Sequence, residues 1–104
     1  MQRGEVWWAV LPSPVEKRPV LLLSRDEAYL VRNSVTIAEI TTTIRNIPVE
    51  VLLDENDDMP KRCVINLDTI TTIRKNLLLS KICQLSDENI KNVNNAIKFA
   101  LDIT

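Results

Sequence analysis

The spacing of apolar residues changes near residue 86, and this change constrains the fold more than any other feature of the chain. Before that point, apolar residues stand in short runs rich in β-branched and aromatic side chains, as is typical of strands. After it, they recur at the interval that places them on one helical face, namely Ile90, Val93, Ile97 and Leu101. Ser86 is a suitable N-cap for that helix. We therefore expect one β-rich domain, residues 1–104, closed by a C-terminal α-helix.

The apolar runs predict six or seven short strands. In order, the runs cover residues 5–11, 18–24, 34–43, 49–53, 63–67 with its β-branched continuation 69–73, and a short stretch around 81–83. The segment 26–30 is consistent with one helical turn or an irregular excursion. In the third run the alternation of apolar and polar residues is interrupted once, at Ala38 and Glu39. The chain has one glycine, so its tight turns are expected to use Asn, Asp, Pro and Ser.

The residue types that are missing exclude several kinds of active site. The chain has no histidine, which removes Ser-His-Asp and Cys-His nucleophiles. A glycine-rich phosphate loop is impossible with one glycine. A carboxylate pair for glycoside cleavage could come from Glu16, Glu39 or Glu50, but their spacing singles out no pair.

The two cysteines, Cys63 and Cys83, each lie inside an apolar run. We expect buried free thiols at both positions, because this is the usual place of an unpaired cysteine. Without histidine or a second cysteine pair, a zinc site is not expected. The sequence therefore predicts no metal and no cofactor.

The charge pattern limits how the chain can meet nucleic acid. The formal net charge is −1, which argues against a broad basic coat. Any contact with RNA must use a local patch, for which the nearest cations are Lys17, Arg18, Arg25 and Arg45. No run of 18 apolar residues predicts a membrane span, and the first residues lack the apolar middle of a signal peptide. We expect a cytoplasmic protein with no membrane contact.

Phosphate chemistry by positioned cations and hydroxyls remains open to such a chain. Arginine is a permanent cation whose planar fork of donors suits phosphate. Threonine can donate or accept a hydrogen bond at a phosphate oxygen. RNA carries its own nucleophile, the 2′-hydroxyl, so an enzyme that aligns it and stabilises the crowded phosphorane needs no metal.

Four segments, in order, resemble the MazF/PemK family of toxins over nearly the whole chain. Residues 3–7 (R-G-E-V-W) are similar to the family's opening strand, and residues 18–24 (R-P-V-L-L-L-S) to the segment with its catalytic arginine. Residues 35–42 (V-T-I-A-E-I-T-T) are similar to the strand that carries a catalytic threonine. Residues 64–73 resemble the later strand, and the terminal amphipathic helix follows.

The resemblance implies a mainly β, SH3-like barrel of the CcdB/MazF type with a C-terminal α-helix. It implies a homodimer whose groove for single-stranded RNA crosses the interface. It further implies the toxin of a toxin-antitoxin system, a metal-independent endoribonuclease that leaves a 2′,3′-cyclic phosphate and a 5′-hydroxyl. The implied partner is a cognate antitoxin with an acidic, partly disordered C-terminal tail that blocks the groove.

By position, the resemblance makes Arg18 the catalytic arginine and Thr41 the catalytic threonine. The residues it implies for RNA binding are Glu16, Lys17, Thr42 and Arg45. The chain departs from the family in the first loop, where residues 12–17 form a shorter connection with no glycine. Glu16 is then the replacement for the family's loop glutamate, and the general base stays open.

Two alternatives accompany this interpretation. Trp7 and Trp8 are adjacent in a strand and should face opposite ways, so packing is favoured over base stacking for the exposed ring.

A non-catalytic binding module on the same fold is the second functional hypothesis, either an inert MazF-like protein or a CcdB-like gyrase inhibitor. The resemblance ties gyrase poisoning to a C-terminal tryptophan, whereas this chain ends Leu-Asp-Ile-Thr.

Overall fold

Six antiparallel strands form a single curled sheet, a half-barrel of the SH3-like type. The computed structural model describes residues 1–12 and 17–104. The strands are β1 (Glu5–Val10), β2 (Lys17–Leu22), β3 (Ser34–Thr41), β4 (Glu50–Leu53), β5 (Cys63–Arg74) and β6 (Leu78–Gln84). Their order across the sheet is β4-β5-β3-β2-β1-β6. The mainly β fold class is confirmed, and the run at 63–67 continues through 69–73 as one strand, as predicted.

Two helices complete the domain, α1 (Ala28–Val31) and α2 (Asp87–Ala100). The Ser86 hydroxyl accepts a hydrogen bond from the Asn89 N–H at 3.2 Å, which confirms the predicted N-cap. Leu101 was predicted to lie on the packed face of this helix. It does not, because it is the C-cap and is 57% exposed. In the described part of the chain, neither helix is long and apolar enough to cross a bilayer.

Apolar residues are buried on both faces of the sheet. One cluster lies between the sheet and α2 and includes Leu21, Ala38, Ile40, Ile65 and Val93. The other includes Val20, Leu22, Val35, Ile37 and Tyr29. Ile37 and Ala38 are neighbours in sequence yet belong to different clusters, because adjacent strand residues point to opposite faces. This two-sided burial explains the predicted slip in the alternation of β3.

A large irregularity in β5 bends the sheet beside Glu39. Ala38 pairs with Ile70 and Ile40 with Ile65, so two steps along β3 match five along β5. Asn66 stabilises the extra residues of β5, because its side-chain oxygen accepts a hydrogen bond from the backbone N–H of residue 68 at 2.9 Å. Bulges of this kind increase local twist and leave a residue unpaired. Glu39 therefore has no β5 partner and lies at an opening in the sheet.

The single glycine occupies a position where any side chain would be strained. Gly4 has φ +91°, and its carbonyl accepts a hydrogen bond from the Leu85 N–H at 3.0 Å. A Cβ at this position would lie 2.9 Å from the Gln84 side-chain nitrogen and 3.0 Å from the Ile90 Cδ1. Elsewhere the left-handed turn positions are Asn46, Asp58 and Asp102, which confirms the predicted use of Asn and Asp.

We expect Gly4→Ala to lower the free energy of unfolding by about 1–3 kcal/mol, because a Cβ is unfavourable at that φ and meets Ile90. Urea unfolding followed by circular dichroism would measure the change. Asn46→Gly is the matched control, since it relieves a left-handed residue at φ 56° and should be close to neutral. Equal stability of Gly4→Ala and the parent chain would contradict the expectation.

Candidate active site

The first residues of β2 lie beside the last residues of β3, and this brings the predicted catalytic pair together. The observed antiparallel register pairs Val20 with Glu39 and Leu21 with Ala38. Continued by two residues, the same register places Arg18 opposite Thr41. Side chains directly opposite on antiparallel strands are near neighbours. The fold therefore juxtaposes two residues that are 23 positions apart in the sequence.

Arg18 forms an ion pair with a residue that the sequence did not single out. Its Nη1 donates to the Glu39 Oε1 at 2.8 Å, and the two side chains are 29% and 27% exposed. Side-chain alternation places Glu39 and Thr41 on one face of β3. A partly exposed pair of this kind contributes only about 0–1 kcal/mol to folding. The pair is accessible to a ligand, and its main consequence is the orientation of the guanidinium.

The Thr41 hydroxyl is held by a local turn. Its Oγ1 accepts a hydrogen bond from the backbone N–H of Thr43 at 3.2 Å, just after β3 ends. A hydroxyl can accept and donate at the same time. Since the contact from Thr43 uses a lone pair, the hydroxyl proton of Thr41 is left for donation to a ligand.

A pocket of about 280 Å³ is lined by Arg18 and Thr41, while Glu39 lies outside its lining. Its lining comes from β1, β2, β3 and the segment between β4 and β5, and consists of Trp8, Lys17, Arg18, Pro19, Ile40, Thr41, Thr42, Met59, Pro60, Lys61 and Cys63. The Lys17 Nζ stands 4.8 Å from the centre of the Trp8 ring. The pocket thus combines three cations, two hydroxyls and an aromatic side chain.

The two tryptophans differ in their surroundings. Trp7 packs against the second apolar cluster, and its Nε1 donates to the Glu5 Oε1 at 2.9 Å. Burial alone would raise the pKa of Glu5, but the Trp7 hydrogen bond and the Lys81 ammonium outweigh it and hold that pKa below its ordinary value. Trp8 instead lines the pocket, half-buried. Of the two rings, Trp8 is the one available to a ligand.

The structure brings two of the four side chains expected to bind RNA into the pocket. Lys17 and Thr42 line the pocket with Arg18 and Thr41. Arg45 lies in the β3–β4 connection outside that lining, where its backbone N–H donates to the Glu50 carboxylate at 3.0 Å. The predicted contact from Glu16 lies outside the described residues.

Lys61 was not among the candidates named from the sequence, and Glu39 was named only as one of three carboxylates that the spacing did not distinguish. Lys61 reaches the pocket through the connection after β4, a long-range placement that no local pattern reveals. Glu39 carried a usable signal, since it stands two residues before Thr41 and so belongs on the same face of the strand.

Cys63 closes the pocket as a neutral, apolar group. Burial is the main reason that the pKa of its thiol rises to about 11. Burial likewise raises the pKa of Cys83, whose Sγ lies 3.8 Å from the Met59 Sδ. Both cysteines are free and buried, as predicted. A thiol with a raised pKa carries little thiolate at neutral pH and is a poor nucleophile or ligand.

The pocket's chemistry suits a phosphodiester. Arg18 retains donors beyond the one that contacts Glu39, because a guanidinium has five N–H groups. Thr41 offers a hydroxyl proton, and Glu39 offers a carboxylate beside the cation. Among residues 1–12 and 17–104, no three His, Cys, Asp or Glu side chains gather as a metal cage would require.

Comparison with known proteins gives a consistent result. Residues 2–101 match the family model described as PemK-like, MazF-like toxin of type II toxin-antitoxin system. "Probable endoribonuclease MazF5" of Mycobacterium tuberculosis is 35% identical over 101 residues, covering 96% of this chain and 92% of that protein. "Endoribonuclease MazF" of Staphylococcus saprophyticus is 37% identical over 112 residues, covering 99% and 92%.

A solved structure agrees with these sequence relationships. The Mycobacterium tuberculosis toxin MazF-mt6 superposes with a TM-score of 0.88 at 30% identity, covering 96% of this chain and 98% of that one. The fold, the order of the segments and the convergence of Arg18 with Thr41 all agree with the resemblance seen in the sequence. The chain belongs to the PemK-like, MazF-like toxin family of type II toxin-antitoxin systems.

Proposed function

We propose that this toxin is a metal-independent endoribonuclease that cuts single-stranded RNA by attack of a 2′-hydroxyl on the adjacent phosphate. The observation that carries the proposal is that Arg18 and Thr41 line one accessible pocket, with Glu39 in contact with Arg18 at 2.8 Å. Relatives at 35% and 37% identity are named endoribonucleases, which supports the same reaction class. The products would be a 2′,3′-cyclic phosphate and a 5′-hydroxyl.

Arg18 binds the scissile phosphate and stabilises the charge that develops on it in the transition state. One of its donors contacts Glu39 at 2.8 Å, so the planar fork is oriented before RNA arrives. A preorganised cation stabilises a transition state without having to reorganise during the reaction. Arg18 does not serve as the proton donor, because a guanidinium keeps its proton throughout the pH range of proteins.

Glu39 accepts the proton of the attacking 2′-hydroxyl. The O2′–P bond forms as the P–O5′ bond breaks, the 2′-proton passes to Glu39, and the leaving O5′ takes up a proton from solvent water. A chain without histidine needs a carboxylate for this task, and Glu39 is the carboxylate in contact with Arg18. A guanidinium that holds both the carboxylate and the phosphate places base and substrate side by side. Glu16, which the resemblance favours, is the competing base.

The remaining side chains position the substrate. Thr41 donates its hydroxyl proton to a phosphate oxygen, supported by the contact with the Thr43 N–H. Lys17 and Thr42 bind neighbouring phosphate or sugar groups from the pocket lining. Trp8 offers a face on which one base stacks, a contact worth about 1–3 kcal/mol per base. Arg45 lies outside the pocket and would contact RNA further along the strand.

The toxin acts as a cytoplasmic homodimer with an RNA groove across its interface, and a cognate antitoxin with an acidic tail blocks that groove. Membership of a type II toxin-antitoxin family supports an antitoxin as the binding partner. The three cations of the pocket, Lys17, Arg18 and Lys61, would attract an acidic segment as they attract phosphate.

Purified protein incubated with a long single-stranded RNA in EDTA tests the proposal. We expect cleavage that persists in EDTA, with cyclic phosphate on one new end and a 5′-hydroxyl on the other. Intact RNA across a full range of sequences would favour an inert MazF-like binding module. Cleavage that requires a divalent cation would contradict the mechanism while leaving the family assignment in place.

A further inference from the structure

A second polar surface lies at the opposite end of β3 from the active site. Two adjoining pockets, of about 510 and 390 Å³, meet at Ser34, the first residue of that strand. The first is lined by Asn33, Ser34, Arg74, Lys75 and Asn76. The second is lined by Leu23, Ser24, Arg25, Ala28, Arg32, Ser34, Thr36 and Thr72. We call these two pockets together the far-end groove.

Four cations and no carboxylate line the far-end groove. They are Arg25, Arg32, Arg74 and Lys75. Within the described part of the chain, none of the four has an acidic oxygen within 4.0 Å. The whole chain has a formal net charge of −1, so the residues outside the groove carry more acidic than basic side chains. The groove is therefore a local site of positive potential on an otherwise acidic molecule.

Hydroxyl and amide groups stand between these cations in fixed positions. Thr36 and Thr72 face each other across paired strands, with their Oγ1 atoms 3.3 Å apart. Ser24 Oγ accepts a hydrogen bond from the Thr36 N–H at 2.8 Å. Ser34 pairs directly with Arg74 across the β3–β5 ladder. Arginine, lysine, hydroxyl and amide side chains are the usual donors to phosphate oxygens and sugars.

We propose that the far-end groove binds the sugar-phosphate backbone of the RNA substrate at a distance from the cleaved bond. The proposal deepens the endoribonuclease function and depends on it for the identity of the ligand. An acidic polypeptide is less well matched, because a peptide groove should offer apolar recesses, and only Leu23 and Ala28 are apolar here.

The distance between the two sites sets the length of stacked RNA that occupies both. Seven residue steps separate Ser34 from Thr41, which corresponds to roughly 23 Å at the rise of a strand. A stacked single strand advances by about 3.4 Å per nucleotide, so an RNA must extend about seven nucleotides to occupy both sites. Shorter RNA should bind at the active site alone.

The test measures binding of an RNA that cannot be cut. A 20-nucleotide RNA methylated at every 2′-hydroxyl is titrated at several salt concentrations with the parent chain and with Arg32→Ala/Arg74→Ala. Loss of two phosphate contacts should weaken Kd roughly 10- to 30-fold at ~0.1 M salt and reduce the slope of log K against log salt by about 1.4. Both arginines are exposed, so their replacement should leave the melting temperature unchanged.

Matched variants separate a site from a simple change of net charge. Lys91→Ala/Lys98→Ala removes the same charge from exposed positions on α2 and should bind RNA like the parent. Arg32→Lys/Arg74→Lys should restore most of the slope, because the phosphate contacts need a cation. A four-nucleotide methylated RNA should bind the parent and Arg32→Ala/Arg74→Ala equally.

Unchanged Kd and slope in Arg32→Ala/Arg74→Ala would overturn the proposal, as would an equal loss in the α2 control. Retained RNA binding together with lost binding of polyglutamate would assign the groove to an acidic polypeptide and overturn it too. These outcomes do not depend on catalysis. Failure of the endoribonuclease function would appear separately, as uncut natural RNA in the presence of the parent chain.

Discussion

Arg18→Ala is expected to slow RNA cleavage by about 10³-fold while the protein stays folded. The variant loses the cation that stabilises the phosphorane, and removal of one such preorganised donor typically lowers kcat by about 10²–10³. The folding cost should be below about 1 kcal/mol, because Arg18 and Glu39 are both partly exposed. Single-turnover cleavage of a defined RNA, with circular dichroism of each variant, measures both effects.

Two further arginine variants make this result specific. Arg18→Lys keeps the charge but not the planar fork, so its rate should fall between those of the parent and Arg18→Ala. Arg45→Ala removes a cation from outside the pocket and should change kcat by less than about tenfold. A fully active Arg18→Ala enzyme would contradict the assignment of the pocket as the active site.

Glu39→Gln is expected to lower kcat by about 10²–10⁴, the usual contribution of a general base. The amide can still accept a hydrogen bond from Arg18, so binding of RNA should change little. Glu39→Asp keeps a carboxylate, displaced by one methylene, and should therefore retain more activity than Glu39→Gln. If Glu39 only orients Arg18, the longer amide should instead be the better substitute.

Glu16→Gln is the matched control for the competing base. If Glu39 is the base, Glu16→Gln keeps most of the activity. Loss of activity in Glu16→Gln, with activity retained in Glu39→Gln, would transfer the role to the first loop. A faster Glu39→Gln enzyme would mean that Glu39 only competes with phosphate for Arg18, and would also contradict the base assignment.

Most of the architecture follows from patterns that are local in the sequence. The strand runs, the Ser86 cap and the helical spacing of Ile90 and Val93 each depend on a few neighbouring residues. The continuation of the run at 63–67 into 69–73 was predicted, but the bulge within β5 was not, because it depends on contacts with β3 and β4. Such contacts depend on the folded sheet and leave no periodic signal.

In the active site, too, some residues could be identified from their own segment of sequence, and others only from contacts made in the folded sheet. Arg18 and Thr41 stand within recognisable segments, so the resemblance to a known family could place them. The partnership between Arg18 and Glu39 required the register of β2 on β3, which a single sequence does not give. The far-end groove required four segments to meet at Ser34, and none of them is distinctive alone.

The most direct test of the central claim changes the substrate, not the protein. An RNA with one deoxyribonucleotide at the cleaved position lacks only the attacking hydroxyl and is otherwise unchanged. Attack by the 2′-hydroxyl requires that this RNA stay intact at that bond, under single-turnover conditions in EDTA, while the all-ribose control is cut there. Cleavage of the deoxy-substituted bond at the control rate would contradict the proposed chemistry of Arg18, Glu39 and Thr41.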